Sequence, residues 1–245
     1  MQHQITRARH ELRRRTLSVR RVEQITPRML RLSLEGDELA GFNSPGADDH
    51  IKLFVPGTSE RRDYTPRRYD LVTGELAIDF ALHEAGPATD WALRARPGDQ
   101  VEIGGPRGSL IVPPDFDWFL LIGDEAALPA IGRRVEELPK GVAVTSVAAV
   151  VGEDEEQAFS TAAEHTAIWV HRPLDRADDP TALLAALSAM TLPPGDGYIW
   201  IGAEATVARV VRHHVVEVMK HPTQWLKASG YWVKGRADTH EKLEN

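Results

Sequence analysis

Arg61–Asp70, RRDYTPRRYD, sets an aromatic ring, a hydroxyl and several guanidinium groups within a few residues of one another. In an extended segment alternate side chains share a face, so Arg62 and Tyr64 point one way while Asp63 and Thr65 point the other. One face then offers a cation beside a flat ring. A flavin calls for that combination: a ring to stack on its isoalloxazine, a hydroxyl near the edge where electrons leave, and cations for its pyrophosphate. Taken alone, the stretch reads more plainly as an edge strand with solvated arginines. The chain on either side decides between the two.

Upstream, Thr16–Val22 and Met29–Leu34 alternate as half-buried strands around a Thr26-Pro27 turn, and His50–Val55 (HIKLFV) repeats the pattern. Downstream come Glu75–Leu82 (ELAIDFAL) and, after the turn Pro97-Gly98-Asp99, Gln100–Ile103. Short strands closely spaced by tight turns predict a small antiparallel barrel. One segment departs from that rhythm. GPATDWALR, Gly86–Arg94, predicts a helix with Pro87 at its first position, where a missing amide costs nothing. Ala88, Trp91, Ala92 and Ala95 fall at helical spacing, and the free first-turn amides, helped by the Thr89 hydroxyl, suit an anion such as a pyrophosphate. A short helix plugging a barrel end is the plainer account of the same residues.

Pro113-Pro114-Asp115 is the linker candidate, because paired prolines interrupt a ladder and stiffen a connection. Beyond it the periodicity changes. Trp118–Ile122, Val142–Val151, Ala167–Val170 and Tyr198–Ile201 are apolar runs without alternation, as in strands covered on both faces, and helical patterns fall near Leu128–Leu138, Thr181–Met190 and Glu204–Lys220. This predicts a parallel α/β sheet, so the domains expected are 1–114, a β-barrel, and 115–245, α/β. Val207, Val210, Val211, Val215 and Val218 make a core-facing stripe on the last helix. Ligands of such sheets bind beyond the strands' carboxyl ends. The turns there, Gly123-Asp124-Glu125 and Gly202-Ala203-Glu204, carry no GxGxxG fingerprint, and their carboxylates complement a helix dipole but repel a pyrophosphate placed directly on the helix start.

Composition bounds the chemistry. The 245 residues are 42% hydrophobic, enough for a substantial core. There is no cysteine, which excludes disulfides, thiolate catalysis and cysteine-ligated zinc or iron-sulfur centres, so redox chemistry has to come from an organic cofactor. The net charge of −7 argues against nucleic-acid binding, although Arg7, Arg9, Arg13, Arg14, Arg15, Arg20, Arg21, Arg28 and Arg31 face only Glu11 and Glu23 over the first strands. These arginines read mostly as solvated faces. No HExxH motif appears, and the adjacent pair His213-His214 points to different sides of its helix, which argues against a histidine metal site. No apolar run approaches the ~20 residues of a membrane span and the leader MQHQITRARHELRRR lacks a signal-peptide core, which makes the cytoplasm the expected location.

The runs RDYTPRRYD, LAIDFALHEAGPATDWALRARPGD, GGPRGS and LLIGDEAALPAI, in that order and spacing, resemble the siderophore-interacting protein family, flavin-dependent reductases of ferric siderophores related to ferredoxin-NADP reductases. The resemblance implies an FAD-binding barrel followed by an α/β domain that brings NADPH or NADH to the flavin. Carried onto this chain, cofactor contacts fall on Arg62, Asp63, Tyr64, Thr65, Arg67, Asp79, His83, Gly86, Ala88 and Thr89, with Asp124 and Glu125 at the nucleotide turn. His83 is expected to touch flavin without moving a proton. Ala126 stands where the family usually has Thr, which removes a hydroxyl from that turn. The tail GYWVKGR resembles the family's closing segment, and its Lys234 and Arg236, with Lys52, would form a basic pocket for an anionic iron chelate; snorkelling surface cations are the plainer reading of each.

Reduction of ferric to ferrous iron weakens the hold of hard oxygen donors, so release from a siderophore is a redox problem that needs no protein acid, base or nucleophile. Two other functions fit the same sequence. One is a general NAD(P)H:flavin or ferredoxin-type reductase whose partner is a protein, with the basic tail as its docking patch; the other is a non-catalytic flavin- or siderophore-binding module. For the siderophore reductase itself, a reduced ferredoxin is the donor to consider beside NADH and NADPH.

Overall fold

The computed structural model describes residues 3–82, 86–236 and 241–242. The chain divides into two compact units, Met1–Pro113 with Gly132–Arg134, and Pro114–Ile131 with Val135–Asn245.

The first unit is built from β1 (Thr6–Arg9), β2 (Arg14–Thr26), β3 (Met29–Glu35), β4 (Ile51–Phe54), β5 (Arg61–Tyr64), β6 (Pro66–Asp70), β7 (Glu75–Ala81), α1 (Pro87–Arg94), β8 (Gln100–Gly104) and β9 (Gly108–Ile111). Seven strands form one antiparallel sheet in the order β5-β4-β8-β2-β3-β7-β6. The strands at its two ends, β5 and β6, are joined by the single residue Thr65, so the sheet has to curl until its edges meet. The stretch RRDYTPRRYD is therefore the closure of the barrel. Pro66 opens β6 at an edge, where a missing amide breaks no ladder. Inside, Leu32, Ile51, Leu53, Ile78 and Ile103 are fully buried. A small second sheet, which no pattern in the sequence announces, pairs β1 antiparallel with β9, Thr6 opposite Ile111.

The second unit contains β10 (Trp118–Asp124), α2 (Leu128–Glu137), β11 (Ala143–Val150), β12 (Glu164–His171), α3 (Thr181–Ser188), β13 (Gly197–Glu204), α4 (Ala205–His213), β14 (Leu226–Trp232) and β15 (Glu241–Lys242). Its sheet runs β12-β11-β10-β13-β14-β15, parallel throughout except for β15. Every residue of β10 and β13 is buried, as their unbroken apolar runs require. Only Val170 of β12 is buried, because that strand is the sheet's edge. Where β10 and β13 end, the backbones approach so closely that a Cβ on Gly123 would stand 2.5 Å from the Gly202 carbonyl oxygen.

The valine stripe expected through Lys220 stops short. Val207, Val211 and Val215 are buried, but α4 passes after His213 into a π-helical turn, His214–Val218, closed by the Met219 amide on the His214 carbonyl at 3.0 Å. The extra residue in that turn rotates later positions off the stripe, and Val218 is left 64% exposed.

Candidate functional site: an aromatic and arginine cluster at the barrel closure

Tyr64 ends β5, and its ring lies 4.3 Å from that of Phe80 on β7, centroid to centroid, while Phe80 lies 6.1 Å from Trp91 on α1. The row ties the barrel closure to the helix. Burial pushes the Tyr64 phenol well above its ordinary pKa against the pull of the Arg62 charge, so the ring is a neutral surface. At the start of α1, Gly86 is extended and offers no side chain to cap, and Pro87 has no amide. The first bond inside the helix runs from the Asp90 amide to the Gly86 carbonyl at 2.8 Å. The amides of Ala88 and Thr89 therefore have no acceptor within the helix, the condition under which a helix start holds an anion.

Beneath this row sits a charged cluster. Asp79, 3% exposed, accepts from Arg31 Nε at 2.6 Å and Nη2 at 2.7 Å, and Arg67, 5% exposed, places Nε 3.7 Å from Oδ2, the oxygen that Arg31 Nη2 bonds. The buried carboxylate thus orients the Arg31 guanidinium through two hydrogen bonds and attracts that of Arg67 as an ion pair. Arg62 bonds Glu60 and the Arg61 carbonyl, Thr65 is buried between the two edge strands, and Lys52 pairs with Asp63, its cross-strand neighbour, at 2.9 Å. His83 lies outside the described residues.

In the second unit, Asp124 and Glu204 end adjacent parallel strands. Asp124 accepts from the Ala126 amide at 3.0 Å, the Glu204 amide at 2.8 Å and Trp232 Nε1 at 3.0 Å. Burial, then the adjacent Glu125 carboxylate, push it up to about 7, against the opposing effect of Arg172 and these donors. Glu125 pairs with Arg172 at 2.7 Å. Glu204 caps α4, accepting from the Thr206 amide at 2.6 Å and the Val207 amide at 3.2 Å, so the first turn of that helix is already taken. Lys234 bonds the Asp178 carboxylate at 2.6 Å and the Asp175 carbonyl, and its ammonium holds Asp178 below the usual carboxylate range. Arg236 is exposed on a backbone bridge to Val233. Among the described residues no group of histidines and carboxylates is arranged to hold a metal ion, and no helix is long and apolar enough to cross a membrane.

Lys52 therefore belongs to the first unit and Lys234 and Arg236 to the second. Three further residues of these clusters, Arg31, Arg172 and Trp232, had no signal in the sequence. Arg31 meets Asp79 through the β3–β7 register, and those strands are separated by three others in the chain.

A closed antiparallel sheet carrying an anion-ready helix, followed by a parallel sheet without a glycine-rich nucleotide loop, is the architecture of two-domain flavin reductases. The chain belongs to the siderophore-interacting protein family. The family's "Siderophore-interacting FAD-binding domain" matches residues 18–61 and 57–110, and its "Siderophore-interacting protein" domain matches residues 116–235. A relative from Escherichia coli K12, the NADPH-dependent ferric-chelate reductase, is 36% identical over 92% of this chain and 95% of its own length. Ferric vibriobactin reductase ViuB of Vibrio cholerae is 32% identical over 51% of this chain and 54% of its own. The crystal structure of a siderophore utilization protein from T. fusca superposes with a TM-score of 0.88 at 33% identity, covering 96% of this chain and 98% of the other.

Proposed function

We propose that this chain is an FAD-dependent ferric-siderophore reductase that takes its electrons from NADPH. The observation that carries the reading is the meeting of Tyr64, Phe80 and Trp91 at the barrel closure, next to a helix start with free amides. Residues 1–114 serve as the FAD-binding domain and 115–245 as the nucleotide-binding-like domain. The Tyr64 ring gives the isoalloxazine its stacking surface and Thr65 its hydroxyl at the ring edge. Arg62 and Arg67, the latter beside Asp79, and the Ala88 and Thr89 amides hold the phosphates. Bound FAD supplies acceptance of a hydride and release of single electrons, so that one NADPH reduces two ferric chelates.

Lys52, Lys234 and Arg236 attract the anionic chelate. Both lysines are held by carboxylates, Asp63 and Asp178, which fixes their positions and sets an exchange of partners when an anion arrives. NADPH as donor places the reaction in the cytoplasm, where that nucleotide is maintained. The occupied first turn of α4 keeps nucleotide phosphates from being held there, and this favours a second reading in which a reduced ferredoxin-type protein delivers the electrons.

The test is an anaerobic visible spectrum of the purified protein, before and after NADPH and then a ferric siderophore. Flavin bands that bleach with NADPH and return with the chelate are the expected result. Bleaching by dithionite alone, with return on adding chelate, transfers the donor role to a protein. A protein that takes up no FAD overturns the assignment of Tyr64, Thr65 and α1.

A further inference from the structure

Alternation along β2 sends Arg15 to the same side as the buried Leu17 and Val19, and the residue is only 5% exposed. Its Nε donates to the Glu38 carbonyl at 2.9 Å and its Nη1 to the Gly105 carbonyl at 3.1 Å, with the Phe42 ring centroid 5.4 Å away. Among the described residues no carboxylate forms an ion pair with it: the Glu38 carboxylate accepts the Thr16 amide at 2.7 Å instead, and Arg15 Nη2 makes no hydrogen bond. Its hydrogen bonds go to neutral carbonyls and the nearby Glu38 carboxylate is bonded elsewhere, so burial of this cation carries a desolvation cost that a bound anion would offset. Burial, and then Arg13, push the Arg15 pKa down, against the opposing pull of Glu38 and Tyr69.

Arg15 opens onto a cavity of about 410 Å³ in the first unit, a size suited to a small molecule. Arg9, His10, Glu11, Arg13 and Asn43 line it as well, so three guanidinium groups face one carboxylate. Glu11 is spent on Arg13, 2.7 Å away at the exposed rim. His10 is fixed from behind: Ser109 Oγ donates to Asp49 at 2.6 Å, and His10 Nε2, 2.7 Å from the same oxygen, has to be the donor to it. His10 Nδ1 is then left without a partner among the described residues. We propose that this cavity is an oxyanion site for a small molecule bearing a multiply charged phosphate or carboxylate group, with Arg15 as the buried anchor and Arg9 and Arg13 closing on it from the rim. No residue of the flavin or chelate sites takes part.

Calorimetric titration of the FAD-loaded protein with pyrophosphate and, separately, with citrate tests it and distinguishes phosphate from carboxylate ligands. Saturable binding of either anion is expected, weakened about tenfold or more in the Arg9→Gln/Arg13→Gln variant and strengthened in Glu11→Gln, which frees Arg13. FAD content is expected to stay unchanged in both. Arg15→Gln is expected to abolish binding; if that variant does not fold, the rim variants decide. Absence of binding for both anions at millimolar concentration, or equal affinity in the Arg9→Gln/Arg13→Gln variant, overturns the proposal.

Discussion

Asp124 is a carboxyl group on which three N–H donors converge, yet it titrates near neutrality because it is buried beside Glu125. Its folded pKa, about 7, lies above the ordinary carboxylate value, so between roughly pH 4 and pH 7 the folded chain holds a proton that the unfolded chain has lost. Stability therefore falls as pH rises through that window. Asp124→Asn, which cannot ionise, lacks this slope. In urea unfolding at pH 5 and pH 7.5, the wild type is expected to lose on the order of 2 kcal/mol relative to the variant. Equal changes in both proteins would show that the carboxyl is ionised throughout. Nothing in GDEA announces this behaviour: the sequence shows that carboxylates stand at a helix start, whereas the Trp232 and Arg172 partners come from segments remote in the chain. The same limit applies to Asp79 and Arg31. Residue types at a site were legible, and their partners across nonadjacent strands were not.

The helix α1 shows how far local chemistry reaches. Gly86, Pro87 and the spacing of Ala88, Ala92 and Ala95 specify its start, its direction and its buried side, and the structure has the helix at Pro87–Arg94. By contrast, the π turn after α4 depends on how residues 214–218 close, and valine spacing carries no signal for it. Thr89→Asp separates helix stability from phosphate binding. A carboxylate in the first turn complements the helix dipole and is expected to leave the FAD-free protein unchanged or stabilised by about 0.5 kcal/mol. The same charge faces the pyrophosphate in the proposed complex and is expected to weaken FAD binding about tenfold or more. Thermal unfolding of FAD-free protein and fluorescence titration with FAD read the two effects apart, and undiminished FAD affinity would remove the pyrophosphate from this helix.

At the scale of the whole molecule, the change from alternating strands to unbroken apolar runs at Pro113-Pro114 was enough to anticipate an antiparallel sheet followed by a parallel one. The closure of the first sheet at Thr65 was not, because strand order depends on pairings between distant segments. Lys52 of the first unit and Lys234 of the second are each proposed to attract the chelate, and their joint test is a double variant: Lys52→Ala with Lys234→Ala is expected to raise KM for anionic chelates several-fold with FAD content unchanged. Unaltered kinetics would exclude the lysines from chelate binding. With Thr6 opposite Ile111, the first unit's opening and closing strands lie side by side. A segment whose two ends emerge together can be cut at a hairpin and rejoined end to end without dismantling its own sheets, whereas moving it into another protein has to carry along the helical turn Gly132–Arg134, whose Arg133 bonds Ser44 and the Pro66 carbonyl.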